Sequence, residues 1–226
     1  MPTVSHFWQL ILGTVIALLP VINPLASAPT FLAITEGDTH ERRLQQLRMA
    51  CIYMVGILVS FLIGGTFIMG FFGISIPGLR IAGGLLLAGI GSAMLVTAPH
   101  RTEDEERARE AARAKRDISF SPLAMPMLSG PGSIAVTLGF TSLAGHWVDY
   151  FAIILGILIV ATLTYATLRL SGRIVTVVGV NGMNAFSKIM GFLILCVGIQ
   201  FVVNGVLAVA TDPALIRAIR DAALLR

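Results

Sequence analysis

Charge is scarce in this sequence. Of 226 residues, Lys and Arg supply 16 and Asp and Glu 12, so charged side chains make up 12% of the chain. A soluble domain averages roughly 25%. That deficit excludes an ordinary soluble enzyme. A pI near 9.6 does not argue for nucleic acid, because the basic residues are spread over the connections between apolar runs instead of forming one patch. Cysteine is nearly absent. Cys51 and Cys196 both sit inside apolar runs, where they read as small buried hydrophobes and imply no disulfide framework. No Asp or Glu falls inside any apolar run. Glu36, Asp38, Asp117 and Asp149 stand at edges, and so do His6, His40, His100 and His146 or the loops that hold them. A carboxylate proton relay of the kind found in pumps is therefore not expected. The sequence shows neither a metal-ligand cluster nor a nucleophile–base pairing, so it predicts no enzyme, no metal and no cofactor. The opening MPTVSHFWQL lacks a positive n-region and a cleavage site; it reads as the lip of a first span, not as a signal peptide.

Apolar residues are abundant. They are 56% of the chain, and mean hydropathy is +0.87. Six long apolar runs cover approximately 7–35, 47–72, 77–98, 119–143, 147–170 and 184–210. A lone segment in lipid must satisfy its own backbone polar groups, so each is expected to be a helix. The one strongly charged stretch, HRTEDEERAREAARAKRD at 100–117, reads as a solvated cytoplasmic helix. It divides a single transmembrane domain of 1–226 into a first half, 1–99, and a second half, 118–226. Connections 1–2, 3–4 and 5–6 hold twelve of the sixteen Lys and Arg, and the other side holds Arg80, Arg217, Arg220 and Arg226. The richer side is predicted cytoplasmic, which turns both termini outward.

Two pairs of short stretches match in register. PTFLAIT at 29–35 aligns with PGSIAVT at 131–137, and RIAGGLLL at 80–87 aligns with KIMGFLIL at 188–195. They occur in the same order, in spans 1 and 3 and again in spans 4 and 6. The expected fold is thus an all-α membrane protein whose six transmembrane helices form two inverted three-helix repeats, inverted because each half has an odd number of spans. Inverted repeats with interrupted helices are the sequence pointer to a secondary transporter.

Helices 1 and 4 are expected to be broken at their Pro/Gly motifs. Proline lacks an N–H and clashes with the preceding turn. Pro24 and Pro29 in the first, and Pro122, Pro126 and Pro131 in the second, leave carbonyls without helical donors, and Gly130 and Gly132 add backbone freedom. Such groups persist in a membrane only when buried in protein or lining a wet cavity. Half-helix N-termini favour a carboxylate, and freed carbonyls favour an ammonium group. The candidate substrate-binding residues are therefore Asn23, Pro24, Ser27, Pro29, Thr30, Ser129, Gly130, Pro131, Gly132 and Ser133. Gln200 and Asn204, four apart on span 6, are added as cavity-lining or interhelical amides. Arg80 and Lys188 are read as interface or gate cations. Gly56, Ser60 and Gly64, and Gly84, Ala88 and Ser92, are read as packing ridges.

The stretches NPLASAPTFLAIT, FGISIPGLRIAGGL, SPLAMPMLSGPGSIA and SKIMGFLILCVGIQFVVNG resemble the signature segments of the MarC family of bacterial inner-membrane proteins over essentially all six spans. Lys188 stands where that pattern has arginine, which keeps the charge and loses the planar fork. The resemblance implies a plan similar to lysine-exporter-like proteins and, since some members are described as transporters of small neutral amino acids, a substrate of that class. The transporter reading itself carries H+ or Na+ as possible coupling ion. It does not imply direct drug export. The competing readings are a non-transporting membrane protein that acts through partners at the 100–117 stretch, and a channel. No selectivity-filter repeat supports the channel.

Overall fold

The structure, a computed structural model, describes residues 4–96, 117–141 and 143–212. The charged 100–116 stretch, and with it the expected cytoplasmic helix, lies outside the described residues, as do Arg217, Arg220 and Arg226.

The described chain is helical: α1 (Val4–Ile22), α2 (Ser27–Ile34), α3 (His40–Phe72), α4 (Ile76–Val96), a wide helical segment α5 (Ser119–Leu128), α6 (Pro131–Thr141), α7 (Trp147–Arg169) and α8 (Ser171–Ala210). Five helices are long and apolar enough to cross a membrane. The α5–α6 pair, bent by 64°, makes a sixth if counted as one span.

Local chemistry sets the ends. Thr39 caps α3 by accepting the Arg42 N–H, and Gly73 closes it at φ 64°, a left-handed conformation open to glycine. α3 starts seven residues before the predicted span, because its first two turns are amphipathic. Gln46, Leu47 and Ala50 are already buried, while Arg42 and Arg48 face out. α8 likewise begins at Ser171, directly after α7, where a loop was predicted up to 183. It carries a break at Gly179, φ 69°.

The core lies between α1, α3 and α7, with Leu18, Met54, Leu58, Leu62, Ile153 and Ile157 fully buried. The expected ridge Gly56–Ser60–Gly64 is not the packing face of α3. Gly56 and Ser60 are exposed, and a Cβ at Gly56 would meet nothing within 4 Å. The period of large residues at Leu47, Met54, Leu58 and Leu62 turns the opposite side inward. Gly65 is the close-approach position there, and a Cβ on it would lie 2.7 Å from Thr141 Oγ1.

The tightest pairing is α4 against α8. Gly84 faces Gly198, Gly91 faces Gly191 and Leu195, and Gly205 faces Pro77 and Ile81. Residue numbers rise on one helix as they fall on the other, so the pair is antiparallel. Without a hydrophobic driving force between helices in lipid, close backbone approach at small residues supplies the contact. Of the predicted ridge Gly84–Ala88–Ser92, the first two pack on α8; Ser92 is exposed and donates to the Gly89 carbonyl of its own helix.

Candidate functional site

The chain between α1 and α2 is shaped by its prolines. Pro24 cannot donate to the Pro20 carbonyl, so that carbonyl loses its helical partner. Asn23 still donates to Leu19 O at 2.9 Å, then turns to φ 44°, the only positive φ at a non-glycine among the described residues. Asparagine tolerates this region because its short side chain bonds locally: Asn23 Oδ1 accepts the Ala26 N–H at 3.3 Å. Its Nδ2 is buried with no hydrogen-bond partner, and the residue is 6% exposed. An unpaired buried amide donor costs about 1–3 kcal/mol.

The second interruption is built differently. Ser121 and Met125 are extended within α5, ahead of Pro122 and Pro126. The carbonyl of Ala124 accepts both the Ser129 N–H, at 2.8 Å, and the Ser129 hydroxyl, at 2.7 Å. Ser133 Oγ reaches Leu128 O at 3.4 Å. The serines therefore occupy carbonyls that the sequence reading left open for an ammonium group. α6 begins its hydrogen bonding with the Ile134 N–H to Gly130 O, which leaves the N–H groups of Gly132 and Ser133 as first-turn donors.

The two interruptions approach each other. A Cβ on Gly132 would lie 3.1 Å from Val21 Cγ1, two residues before Asn23, and 3.2 Å from Ile90 Cδ1 of α4. Asn23, Pro24, Ser129, Gly132 and Ser133 are buried here; Ser27, Thr30 and Gly130 are half-buried; Pro29 and Pro131 are exposed. Gln200 and Asn204 are not in this buried layer. Both are exposed on α8 and bond to each other at 2.9 Å. Arg80 is half-buried and Lys188 exposed at the helix surface.

The sequence reading missed two clusters. Asp149, taken as an edge residue, is 3% exposed. Its Oδ2 accepts the N–H groups of Gly145 and His146 at 3.0 and 2.9 Å, and its Oδ1 is 3.5 Å from His6 Nε2 of α1. The spacing of His146 and Asp149 is a capping-box pattern, which was the available signal. Arg43, counted as a loop charge, is half-buried and donates to Thr35 O at the end of α2, 3.1 Å away. Gln46, one turn on, is buried with Oε1 unpaired. Asp117 precedes α5, and the side chain and N–H of Ser119 hold its carboxyl below the usual carboxylate range, with Arg42 adding to the effect. No group of three or more His, Cys, Asp or Glu able to hold a metal occurs among the described residues.

Long apolar helices packed in a bundle define a multi-pass integral membrane protein. Residues 8–210 match the MarC family integral membrane protein. The inner membrane protein MarC of Citrobacter koseri is 38% identical over 88% of this chain and 94% of its own. That of Salmonella arizonae is 40% identical with the same coverage, and that of Escherichia coli O1:K1 / APEC 39%. No solved structure matches the chain. The chain belongs to the MarC family.

Proposed function

We propose that this protein is a secondary transporter of small neutral solutes, with neutral amino acids as the substrate class, in the bacterial inner membrane with both termini outward. The observation that carries the reading is the buried, unpaired Asn23 Nδ2, two residues after Val21, whose side chain meets the first turn of α6 at Gly132. Converging N–H donors at a helix N-terminus suit a carboxylate. The Pro20 carbonyl, robbed of its helical donor, suits an ammonium group. A zwitterion of amino-acid size satisfies both, and Gly132 provides the close backbone approach. H+ or Na+ is the coupling ion of this proposal.

The two-repeat plan is part of the proposal. What supports it is the pattern of neighbours: α1 packs on α7 as α5 and α6 pack on α3, α3 meets α7, and α4 meets α8 antiparallel. A pseudo-twofold axis in the membrane plane generates those pairings, and the interrupted segments then fall in corresponding spans.

The test is uptake of labelled glycine, alanine and serine into liposomes holding the purified protein, with and without imposed proton and sodium gradients. A donor hydrogen bond to a charged group is worth about 1.5–3 kcal/mol, so Asn23→Ala is expected to lower substrate affinity roughly 10- to 100-fold. Asn23→Gly, which keeps the positive φ, separates loss of the amide from loss of the turn. Uptake that ignores every gradient, or that both variants leave unchanged, would sink the proposed site.

A further inference from the structure

The polar groups exposed along the spans divide into two kinds. Hydroxyls satisfy themselves. Ser60 donates to Gly56 O, Ser92 to Gly89 O and Thr162 to Leu158 O, each within its own helix at 2.7–2.9 Å. The amides of Gln200 and Asn204 do not. Gln200 Nε2 donates once to Asn204 Oδ1. A carboxamide has two N–H donors and an acceptor oxygen with two lone pairs. Their mutual bond therefore leaves Gln200 Oε1, one Gln200 N–H and both Asn204 N–H groups without a hydrogen-bond partner among the described residues. Both also lie within the apolar span of α8, Gly182–Ala210. Gln200 is four residues from its centre and Asn204 eight, about 6 and 12 Å at 1.5 Å per residue. Both fall inside a hydrocarbon half-thickness of about 15 Å.

We propose that this face of α8 is a self-association surface, on which a second copy of the chain docks α8 against α8 about a twofold axis normal to the membrane. Acyl chains offer no hydrogen bond, and a purely acidic or basic partner matches only half of an amide. A surface that is donor and acceptor together is best matched by itself. A twofold dimer supplies that, since residue i then meets residue i of the other copy along the seam. The geometry of α8 agrees. Its inner face, at Gly191, Gly198 and Gly205, is filled by α4. Cys196, Gln200 and Asn204 follow each other at intervals of four on the exposed side, with Ile199, Val203 and Leu207 exposed beside them. Interhelical amide bonds of this kind contribute to membrane association. The proposal stands apart from any transport activity.

Cys196 reports on it directly. It is exposed on the ridge, whereas Cys51 is buried. Native membranes oxidised with copper-phenanthroline should yield a disulfide-linked species of twice the 24.0 kDa chain mass, abolished in Cys196→Ser. In that background, Val203→Cys should restore the cross-link and Ile63→Cys, on the exposed side of α3, should not. Gln200→Leu with Asn204→Leu, which leaves a lipid-compatible surface, should slow cross-linking at Cys196 at least tenfold. The proposal is overturned by absence of the dimer at both 196 and 203, by equal yield at 63, by indifference to the double substitution, or by linkage to a different protein.

Discussion

Alanine at Gly198 tests the α4–α8 contact against the simplest alternative, that glycine is there only because any small residue suits a membrane helix. The added Cβ would meet Ala88 N at 2.5 Å and Gly84 O at 2.7 Å, both backbone atoms that cannot rotate away. Ordinary contact begins near about 3.5 Å, so the two helices must part by roughly 1 Å. A gap of that size forfeits a quarter to a half of the dispersion well along the neighbouring contacts. The penalty for overpacking of this kind is about 1–3 kcal/mol. The substitution also raises helix propensity, by about 1 kcal/mol, which would mask part of the effect. Gly56→Ala removes that ambiguity. It carries the same propensity gain, yet its Cβ meets nothing within 4 Å. The difference between the two variants therefore isolates the steric cost, about 1–3 kcal/mol against Gly198→Ala. Equilibrium unfolding in mixed detergent micelles reads it as a shift in midpoint. Coincident midpoints for the two variants would refute the close-packed account of the pair.

Other outcomes follow from single contacts. Thr141→Val removes the hydrogen bond from Thr141 Oγ1 to Leu62 O, 3.2 Å away between α6 and α3; the same unfolding assay should show a loss of about 0.6 kcal/mol, the average for interhelical bonds in membranes. Asp149→Ala frees the N–H groups of Gly145 and His146 at the start of α7 and should cost about 0.5–2 kcal/mol, visible as faster hydrogen exchange at those amides. Asp117 has a depressed folded pKa, so its contribution is present above the unfolded value of about 3.9 and is lost as pH falls through the folded value. The wild-type chain and Asp117→Asn should thus differ by a constant amount from pH 5 to 8 and converge only under acid, in a stability-against-pH series.

The presence and sequence order of the membrane helices were legible because their cause is local. Long apolar runs must be helical in lipid whatever surrounds them, and proline's missing N–H acts on its own turn. Asn23 and Gly132 could be singled out for that reason. Boundaries were less legible. The amphipathic first turns of α3, with Gln46 buried and Arg42 exposed, carry enough charge to look like loop, and only packing shows that one side of them is interior. The same holds for Asp149, whose edge position in the sequence conceals a carboxylate buried against His6 of a distant helix.

What the sequence by itself determined was the solvent this chain folds in, the approximate limits of its spans, and the places where backbone hydrogen bonding must fail. Only the tertiary structure decided which faces those helices turn inward. A stripe of glycine and serine reads the same whether it meets a neighbour, as at Gly84 and Gly198, or the bilayer, as at Gly56 and Ser60. Lipid and protein interior are equally apolar, so hydropathy does not distinguish them. Close backbone approach does, and it is a property of two segments over a hundred residues apart. For the same reason the sequence left Gln200 and Asn204 open between cavity lining and interhelical bonding. The packing of α4 on the glycine side of α8 turns them outward.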